Sequence, residues 1–439
     1  MKIVLRPVGS PEEVAKDLRA DRCSLYNTLQ KVEEDVRKIV EDVKERKDKA
    51  LQEYTKKFDR CEISDFRVSY EELKEAWEKA PEDFKEAITF AASNIRDFHE
   101  KQKPKSCLVE RFASLLGEVF RPLQRVGCYI PGGKFAYPSS CLMTVIPAQI
   151  AGVKEIVLFT PPAEDGNVRR ETLAAAFFLG VHEVYRVGGA QAIAAACFGT
   201  ETIPPVEKIV GPGNIYVTTA KKMLQGIVGI DTLAGPSEVV IVADQSTPSE
   251  WIALDLLAQA EHDPLAVSIL ASPSEALLME VKRHLEKELL SAPFPHDRIA
   301  PIFLYQVESL DTAVDLVNFL APEHVEIMVE NPLALLPRLR KGGAFFLGPY
   351  APVALGDYGY GPNHVLPTGR SAAFSSPLSV RDFYTSSSFI FPLPSDPSLA
   401  YEKYATLAFY EGLFFHRRSL LARVGKKLLT DIEQEWGRI

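Results

Sequence analysis

The chain contains 439 residues, of which 46% are hydrophobic and 25% are charged, and its formal net charge is -9. This composition is typical of a globular protein with more than one domain and excludes a fibrous or disordered chain. The excess of acidic residues argues against nucleic acid as a partner. No segment resembles a secretory signal or is apolar for long enough to span a bilayer, and the cysteines form no CxxC pair. We therefore expect a cytoplasmic protein with reduced thiols and no membrane partner.

Residues 23–103 have the apolar spacing of helices. Branched side chains recur at the interval of one helix face at Val32, Val36, Ile39, Val40 and Val43. The rest of this segment is rich in Lys and Glu and is predicted to be a solvated surface.

From Arg125 onward, short apolar runs alternate with helical stretches. Strands are predicted at residues 155–160, 183–187, 208–210 and 239–243, and helices at 172–179 and 190–198. A second series places helix 249–261 before strand 266–270 and helix 311–320 before strand 325–329. Such alternation predicts βαβ units with buried parallel sheets, and hence an α/β fold.

The segment 371–398 is rich in Ser, Pro and Phe and is predicted to be an irregular crossing. A single C-terminal helix is predicted to follow from about Tyr401. We expect this helix to dock on another domain or another subunit.

Polar side chains stand out in two of the predicted elements. Gln259 and His262 lie three residues apart in a helix that is predicted to end near Pro264, so one helix face would present both to an ion. In isolation, a surface glutamine beside a helix-terminal histidine is the simpler interpretation. Glu323 and His324 precede a strand and form either a general acid and base or a solvated turn. Their position at a sheet edge favours the former.

Two later segments offer further candidate ligands. The glycine-rich loop 356–364 contains Asp357 and His364, although its glycines alone would explain a turn. Glu411 and His416 are five residues apart on the last predicted helix and diverge by about 140°, so one ion should not bind both.

Common short signatures are absent from the sequence, which has no HExxH, Walker loop or GxGxxG. The loop 211–214 comes nearest to a phosphate loop because it follows a predicted strand and opens a helix. A plain turn is the alternative interpretation.

Several motifs together carry a family resemblance. They are VGCYIPGG from Val126, YPSS from Tyr137, VGGAQAIAA from Val187, GPGNIYVTTAK from Gly211, AGPSE from Ala234, QAEHD from Gln259, APEH from Ala321 and GPNHVLPT from Gly361. In this order and spacing, the chain resembles the histidinol dehydrogenases. The resemblance extends over nearly the whole chain and is weakest before Cys23 and in the early Lys- and Glu-rich helices.

The resemblance implies two Rossmann-like, incomplete parallel-sheet α/β domains with small N-terminal and C-terminal helical extensions. The implied divisions are an N-terminal arm (1–24), a discontinuous domain with most metal and catalytic residues (25–128 and 238–378), an inserted NAD-binding domain (129–237) and a C-terminal helical extension that reaches the partner subunit (379–439).

Histidinol dehydrogenases are zinc-dependent homodimers that oxidise L-histidinol to L-histidine through the aldehyde, with two NAD, in the last step of histidine biosynthesis. For this chain the resemblance implies one Zn²⁺ per subunit, NAD, histidinol as the small-molecule substrate, and active sites shared within a homodimer. The implied zinc ligands are Gln259, His262, Asp357 and, from the neighbouring subunit, His416.

The resemblance also implies roles in catalysis and binding. His324 would take the hydroxyl proton, and Glu323 would activate water to hydrate the aldehyde. The implied substrate contacts are Ser237, Glu411, the catalytic pair and the zinc ligands. The implied NAD contacts are Tyr129, Gln191 and Asn214. His364 would then be a hydrogen-bonded loop residue and not a ligand.

One departure from the family concerns the motif YEGLFFHRR, in which the family more often has small residues around the Glu and His. Phe415 is therefore predicted to reshape the pocket wall, which leaves open a dehydrogenase of another small diol. A metal-dependent hydrolase that needs no NAD is the alternative from another class. A non-catalytic metal-binding protein is disfavoured because Glu323 and His324 are both present.

Overall fold

The computed structural model describes residues 2–111, 114–132, 135–233, 235–292, 299–392 and 398–424, without the side chains of 15–29 and 398–399. Residues 393–397 and 425–439 of the predicted C-terminal extension lie outside these ranges, as do Gly133 and Ala234 of two quoted motifs.

The helices are α1 (Pro11–Arg46), α2 (Asp48–Phe58), α3 (Tyr70–Glu78), α4 (Glu82–Glu100), α5 (Pro138–Ala151), α6 (Arg170–Phe178), α7 (Gly189–Phe198), α8 (Ile215–Leu224), α9 (Ser249–Ala260), α10 (Glu275–Ser291), α11 (Leu310–Leu320), α12 (Pro332–Leu335), α13 (Val353–Asp357), α14 (Ser398–Tyr410) and α15 (Phe414–Arg423). The strands are β1 (Ile3–Pro7), β2 (Cys107–Arg111), β3 (Ser114–Pro122), β4 (Arg125–Tyr129), β5 (Glu155–Thr160), β6 (Glu183–Arg186), β7 (Lys208–Val210), β8 (Gly229–Ile230), β9 (Glu238–Ala243), β10 (Val267–Ser272), β11 (Ile302–Gln306), β12 (His324–Met328), β13 (Ala344–Leu347) and β14 (Tyr384–Pro392).

The chain forms two compact units, of which the first combines Met1–Lys103 with Leu123–Phe383. This unit contains two parallel sheets, with strand orders β6-β5-β4-β7-β8 and β1-β11-β10-β9-β12-β13. Apart from the added edge strand β1, each sheet starts in the middle, winds to one edge and then reverses, which is the Rossmann arrangement. The predicted α/β class is confirmed.

Strand β9 illustrates why these segments form parallel sheets. All of its residues are buried, because apolar cores cover both faces of the sheet. Val240 and Val242 pack on one face with Val317, while Val239 and Ile241 pack on the other. A run of branched apolar residues without polar alternation is typical of a strand that is buried on both faces.

The apolar face predicted for the first helix packs on two helices, α7 and α8, that follow strands of the five-stranded sheet. Val36 and Val43 of α1 share a core with Ile193 of α7 and Val217 of α8. This packing groups the early helices with the five-stranded sheet, whereas the family resemblance implied that residues 25–128 group with 238–378. Within the predicted N-terminal arm, β1 pairs in parallel with β11. The domain boundaries themselves stay a prediction.

The second unit combines Pro104–Pro122 with the chain from Tyr384. It contains an antiparallel sheet of order β14-β3-β2, together with α14 and α15. The prediction of an irregular crossing at 371–398 was wrong for its second half, because β14 pairs with β3 along nine residues. Its serine-rich sequence lacks apolar alternation, so the backbone pairing with a distant segment was not visible in the local pattern.

The prediction of a single C-terminal helix was also wrong. Helix α14 ends at Tyr410 and α15 begins at Phe414, with Gly412 at a φ of 72° between them. Glycine adopts this left-handed conformation without steric cost and ends the first helix. Within the described ranges, no helix combines the length and apolar character needed to cross a membrane.

Candidate active site

Glu323 and His324 lie at the amino end of β12. Helix α11 ends at Leu320, and its cap Ala321 takes a left-handed φ of 47° that turns the chain into the strand. Both side chains are buried, with exposed fractions of 6% and 5%. Rossmann-type sheets bind ligands at the carboxyl ends of their strands, whereas this pair lies at an amino end. Its position at a sheet edge is therefore no evidence for a function. Its burial is the better evidence for a function.

The pair is held by the residues that enter the neighbouring strand β9. The Glu323 Oε2 atom accepts a hydrogen bond from the Glu238 N–H at 3.1 Å, and the carboxyl group also forms a hydrogen bond with the Ser237 side chain. The His324 Nδ1 atom lies 3.2 Å from the Glu238 carbonyl oxygen. Because a carbonyl only accepts, Nδ1 carries the hydrogen and Nε2 of the neutral ring can take up a proton.

Burial shifts the two pKa values in opposite directions. It raises the pKa of Glu323 to about 8, and the nearby Glu238 and Asp357 charges add to this rise. It lowers the pKa of His324 to about 4, although the Asp357 charge opposes that shift. Both effects favour the neutral form of each group.

Gln259 lies in the last turn of α9 and is 3% exposed. Neither its Oε1 nor its Nε2 atom has a hydrogen-bond partner in the part of the chain that the structure describes. A buried amide without partners is costly, and such a group calls for a ligand. The unpaired amide therefore marks a candidate site.

His262 and Asp357 lie near the buried pair. The prediction that His262 shares a helix face with Gln259 was wrong, because α9 ends at Ala260 and the exposed His262 follows it. His262 nevertheless lowers the pKa of both His324 and His364 through its charge. Asp357, the last residue of α13, acts on the same two imidazoles with the opposite sign. The two residues thus share one electrostatic neighbourhood with His324.

A cavity of about 860 Å³ opens onto part of this site. Its wall includes His324, Asp357 and His364 beside apolar side chains such as Phe346 and Leu355. The His364 Nδ1–H donates to the Asp357 carbonyl at 2.9 Å, and Nε2 of the neutral ring accepts from the Ser140 hydroxyl at 3.3 Å. The prediction that His364 is a hydrogen-bonded loop residue is confirmed.

The zinc ligand set stays a prediction from the family resemblance. Among the described residues, no three His, Cys, Asp or Glu side chains gather as a metal site. The implied set has only His262 and Asp357 of these types in the first unit, because Gln259 supplies an amide. Glu411 and His416 belong to the second unit, where Glu411 follows α14 and the exposed His416 lies in α15. Their roles stay a prediction.

The three predicted NAD contacts follow strands of the five-stranded sheet. Tyr129 ends β4, Gln191 lies in α7 after β6, and Asn214 caps α8 after β7. The Tyr129 hydroxyl accepts a hydrogen bond from the Gly189 N–H at 3.1 Å. A Cβ on Gly189, whose φ is +69°, would stand 2.6 Å from the Gln191 Oε1 atom. Tyr129 and Gln191 therefore meet around Gly189, at the carboxyl edge of the sheet, where ligands bind in such folds.

One residue of the site was missed from the sequence. Glu326 is fully buried two residues after His324, and its Oε1 atom accepts a hydrogen bond from the Val353 N–H at 2.8 Å. This bond fixes the start of α13, which ends at Asp357. A lone carboxylate among the apolar residues that follow His324 in the strand HVEIM was the available signal.

Two Rossmann-type sheets, with a buried acid and imidazole beside one and an open carboxyl edge on the other, define an α/β enzyme. A family model described as histidinol dehydrogenase matches residues 25–424. Histidinol dehydrogenase of Geobacillus kaustophilus is 47% identical over 412 residues, which are 92% of this chain and 97% of the relative. That of Bacillus anthracis is 46% identical over 434 residues, or 97% and 100% of the two chains.

A solved structure gives the same result. The crystal structure of histidinol dehydrogenase from Elizabethkingia anophelis has a TM-score of 0.86 and 34% identity, and the match covers 97% of this chain and 98% of that one. The chain belongs to the histidinol dehydrogenase family, which makes it a dehydrogenase of histidine biosynthesis.

Proposed function

We propose that this chain oxidises L-histidinol to L-histidine through L-histidinaldehyde, with zinc and two NAD, as the last step of histidine biosynthesis. The observation that carries the proposal is the buried Glu323–His324 pair within the electrostatic neighbourhood of His262 and Asp357. Family membership supports the choice of substrate.

Zinc would be held by Gln259, His262, Asp357 and the partner subunit's His416. Two imidazoles, one carboxylate and one amide oxygen leave the ion a net positive charge and room for substrate donors. The unpaired amide of Gln259 supports this donor set. When bound, zinc would hold the imidazole and amine of histidinol and so fix the alcohol carbon.

The buried pair, Glu323 and His324, would carry out proton transfer. His324 would take the hydroxyl proton at Nε2, while its Nδ1–H continues to donate to the Glu238 carbonyl. Glu323 would take a proton from the water that hydrates the aldehyde, and a pKa near the working pH suits both uptake and release. Ser237 and Glu411 would contact the substrate.

NAD would lie against Tyr129, Gln191 and Asn214 and accept the hydride in each oxidation. A homodimer would be required, since His416 completes the site of the other subunit. A cytoplasmic location is part of the proposal, in keeping with a biosynthetic family.

The test compares the wild type with Gln259→Leu, in which a leucine of similar volume replaces the amide. Chelation should abolish NADH formation from histidinol in the wild type, and added Zn²⁺ should restore it. The metal-free Gln259→Leu protein should be more stable than the metal-free wild type by about 1–3 kcal/mol, because a buried unpaired amide is removed. Its zinc affinity should nevertheless be lost.

Calorimetry and a zinc titration measure both effects, with Gln149→Leu as a control at a glutamine that is hydrogen-bonded to Leu179. Full activity after exhaustive chelation would contradict the zinc proposal. Turnover of simple diols in place of histidinol would point to another dehydrogenase, and turnover without NAD would point to a hydrolase.

A further inference from the structure

A buried ion pair that includes no catalytic residue and no candidate zinc ligand lies beside the loop 211–214. Lys221 of α8 and Asp231, which follows β8, approach within 2.5 Å at Nζ and Oδ1. Both side chains are 2% exposed. The pair is therefore sealed from solvent.

The ion pair holds both polar groups of Gly211. The Asp231 Oδ2 atom accepts from the Gly211 N–H at 2.7 Å, and the Lys221 ammonium donates to the Gly211 carbonyl at 2.7 Å. Gly211 has a φ of +111°, and a Cβ there would lie 2.2 Å from the Tyr129 carbonyl oxygen. Only glycine tolerates this approach, so the loop starts after β7 with a fixed backbone that packs against the end of β4.

The other end of the loop is also fixed. The Asn214 Oδ1 atom accepts hydrogen bonds from the Tyr216 and Val217 N–H groups and so caps α8. A Cβ on Gly213 would lie 2.3 Å from Val217 Cγ1. These cap bonds occupy the oxygen of the Asn214 amide. The position of its NH₂ group is therefore set by a loop that is fixed at both ends.

Stability alone does not explain a sealed ion pair. Apolar residues of similar volume are often equally stabilising, because burial of two charges costs much of what their attraction returns. What the charged pair adds is a defined conformation for the backbone that it binds.

We propose that Lys221 and Asp231 are positioning residues for the dinucleotide site, and that they hold the loop 211–214 in the conformation that binds NAD. This inference rests on the proposed NAD site at Tyr129, Gln191 and Asn214. Loss of the ion pair should therefore weaken NAD binding and leave the chemical step nearly unchanged.

The experiment uses the full-length, zinc-loaded enzyme with the apolar double variant Lys221→Met/Asp231→Leu. The KM for NAD should rise by at least about tenfold, whereas kcat at saturating NAD should change by less than about threefold. The KM for histidinol and the zinc content should stay at the wild-type values. A merely structural role would lower the amount of active enzyme and leave the KM for NAD unchanged.

A neutral variant supplies the matched control. Lys221→Gln/Asp231→Asn keeps a donor and an acceptor for Gly211, so its KM for NAD should stay within about threefold of the wild-type value. If the apolar variant does not fold, Lys221→Met/Asp231→Asn retains the bond to the Gly211 N–H and carries the same test.

Asn214→Ala separates this inference from the proposed function. An increased KM for NAD in Asn214→Ala with none in the apolar double variant would overturn the positioning role alone. An unchanged KM in both would overturn the positioning role and also move the NAD site elsewhere.

Discussion

Glu323 and His324 have opposite charges when ionised, yet their shared burial keeps both neutral. The pKa of Glu323 rises to about 8 and that of His324 falls to about 4, in each case chiefly because the protein excludes water from the charged form. The neutral imidazole is ready to accept a proton at Nε2. The carboxyl group loses its proton only near the upper end of the neutral range, so its environment decides when it acts as a base.

Glu323→Gln tests the role of this carboxyl group. If Glu323 activates water, the variant should slow oxidation of supplied histidinaldehyde at least as much as oxidation of histidinol, by about 10²–10⁴-fold. Glutamine preserves the shape and the hydrogen-bond acceptor but cannot take up the proton. Steady-state NADH formation from each substrate is the measurement, with the exposed Glu330→Gln as a control. An unaffected aldehyde step would refute the assigned role.

Among the secondary-structure elements, strand β12 connects several parts of the site. It begins at His324, follows Glu323 directly, and carries Glu326, whose carboxylate binds the start of α13. Burial raises the pKa of Glu326 well above its usual value, and the charge of Asp255 on α9 adds to the rise. The strand therefore interacts with α9, which carries Gln259 and precedes His262, and with α13, which carries Asp357.

Glu326→Leu should weaken zinc binding although Glu326 is not a proposed zinc ligand. Loss of the bond to the Val353 N–H would release the start of α13 and so misplace Asp357 at its end. Residues that orient metal ligands typically change affinity by about 10–100-fold when they are replaced. Competition with a chromogenic chelator measures this affinity, and Glu330→Leu is the matched control beyond the end of the strand. Equal zinc affinity in Glu326→Leu and the wild type would show that α13 is held by other contacts.

The elements also show how far sequence reasoning reaches. Helix α9 with β10 and helix α11 with β12 were predicted correctly, because their apolar periodicity is local. Strand β14 was missed, since its stability comes from pairing with a segment more than 260 residues away. The argument that placed His262 on α9 was wrong, because Pro264 was taken as the stop signal while the helix ends at Ala260. The unpaired state of Gln259 is a property of the packed core and has no trace in sequence spacing.

In the molecule as a whole, the two parallel sheets have different proposed roles, one in NAD binding and the other in proton transfer. The five-stranded sheet presents Tyr129, Gln191 and Asn214 at carboxyl ends, and the six-stranded sheet presents Glu323 and His324 at an amino end. The candidate zinc ligands of the first unit number three, and the fourth, His416, is in the second. The family resemblance, which places His416 on the neighbouring subunit, motivated the proposal of a shared site.

Subunit mixing tests the sharing. His262→Asn and His416→Asn homodimers should each be inactive, because every site lacks a ligand. In a heterodimer of the two variants, one site would contain both defects and the other would be intact, so activity should recover to about half of the wild-type value per dimer. Differently tagged chains allow the heterodimer to be purified and assayed. No recovery in verified heterodimers would count against ligands from two subunits.

The central claim is that one site performs both oxidations of histidinol. The direct measurement is the amount of NADH formed when a limiting, known amount of histidinol is consumed to completion by the zinc-loaded enzyme. The account predicts two NADH per histidinol, with histidine as the product. One NADH per histidinol, with the aldehyde accumulating in solution, would contradict it.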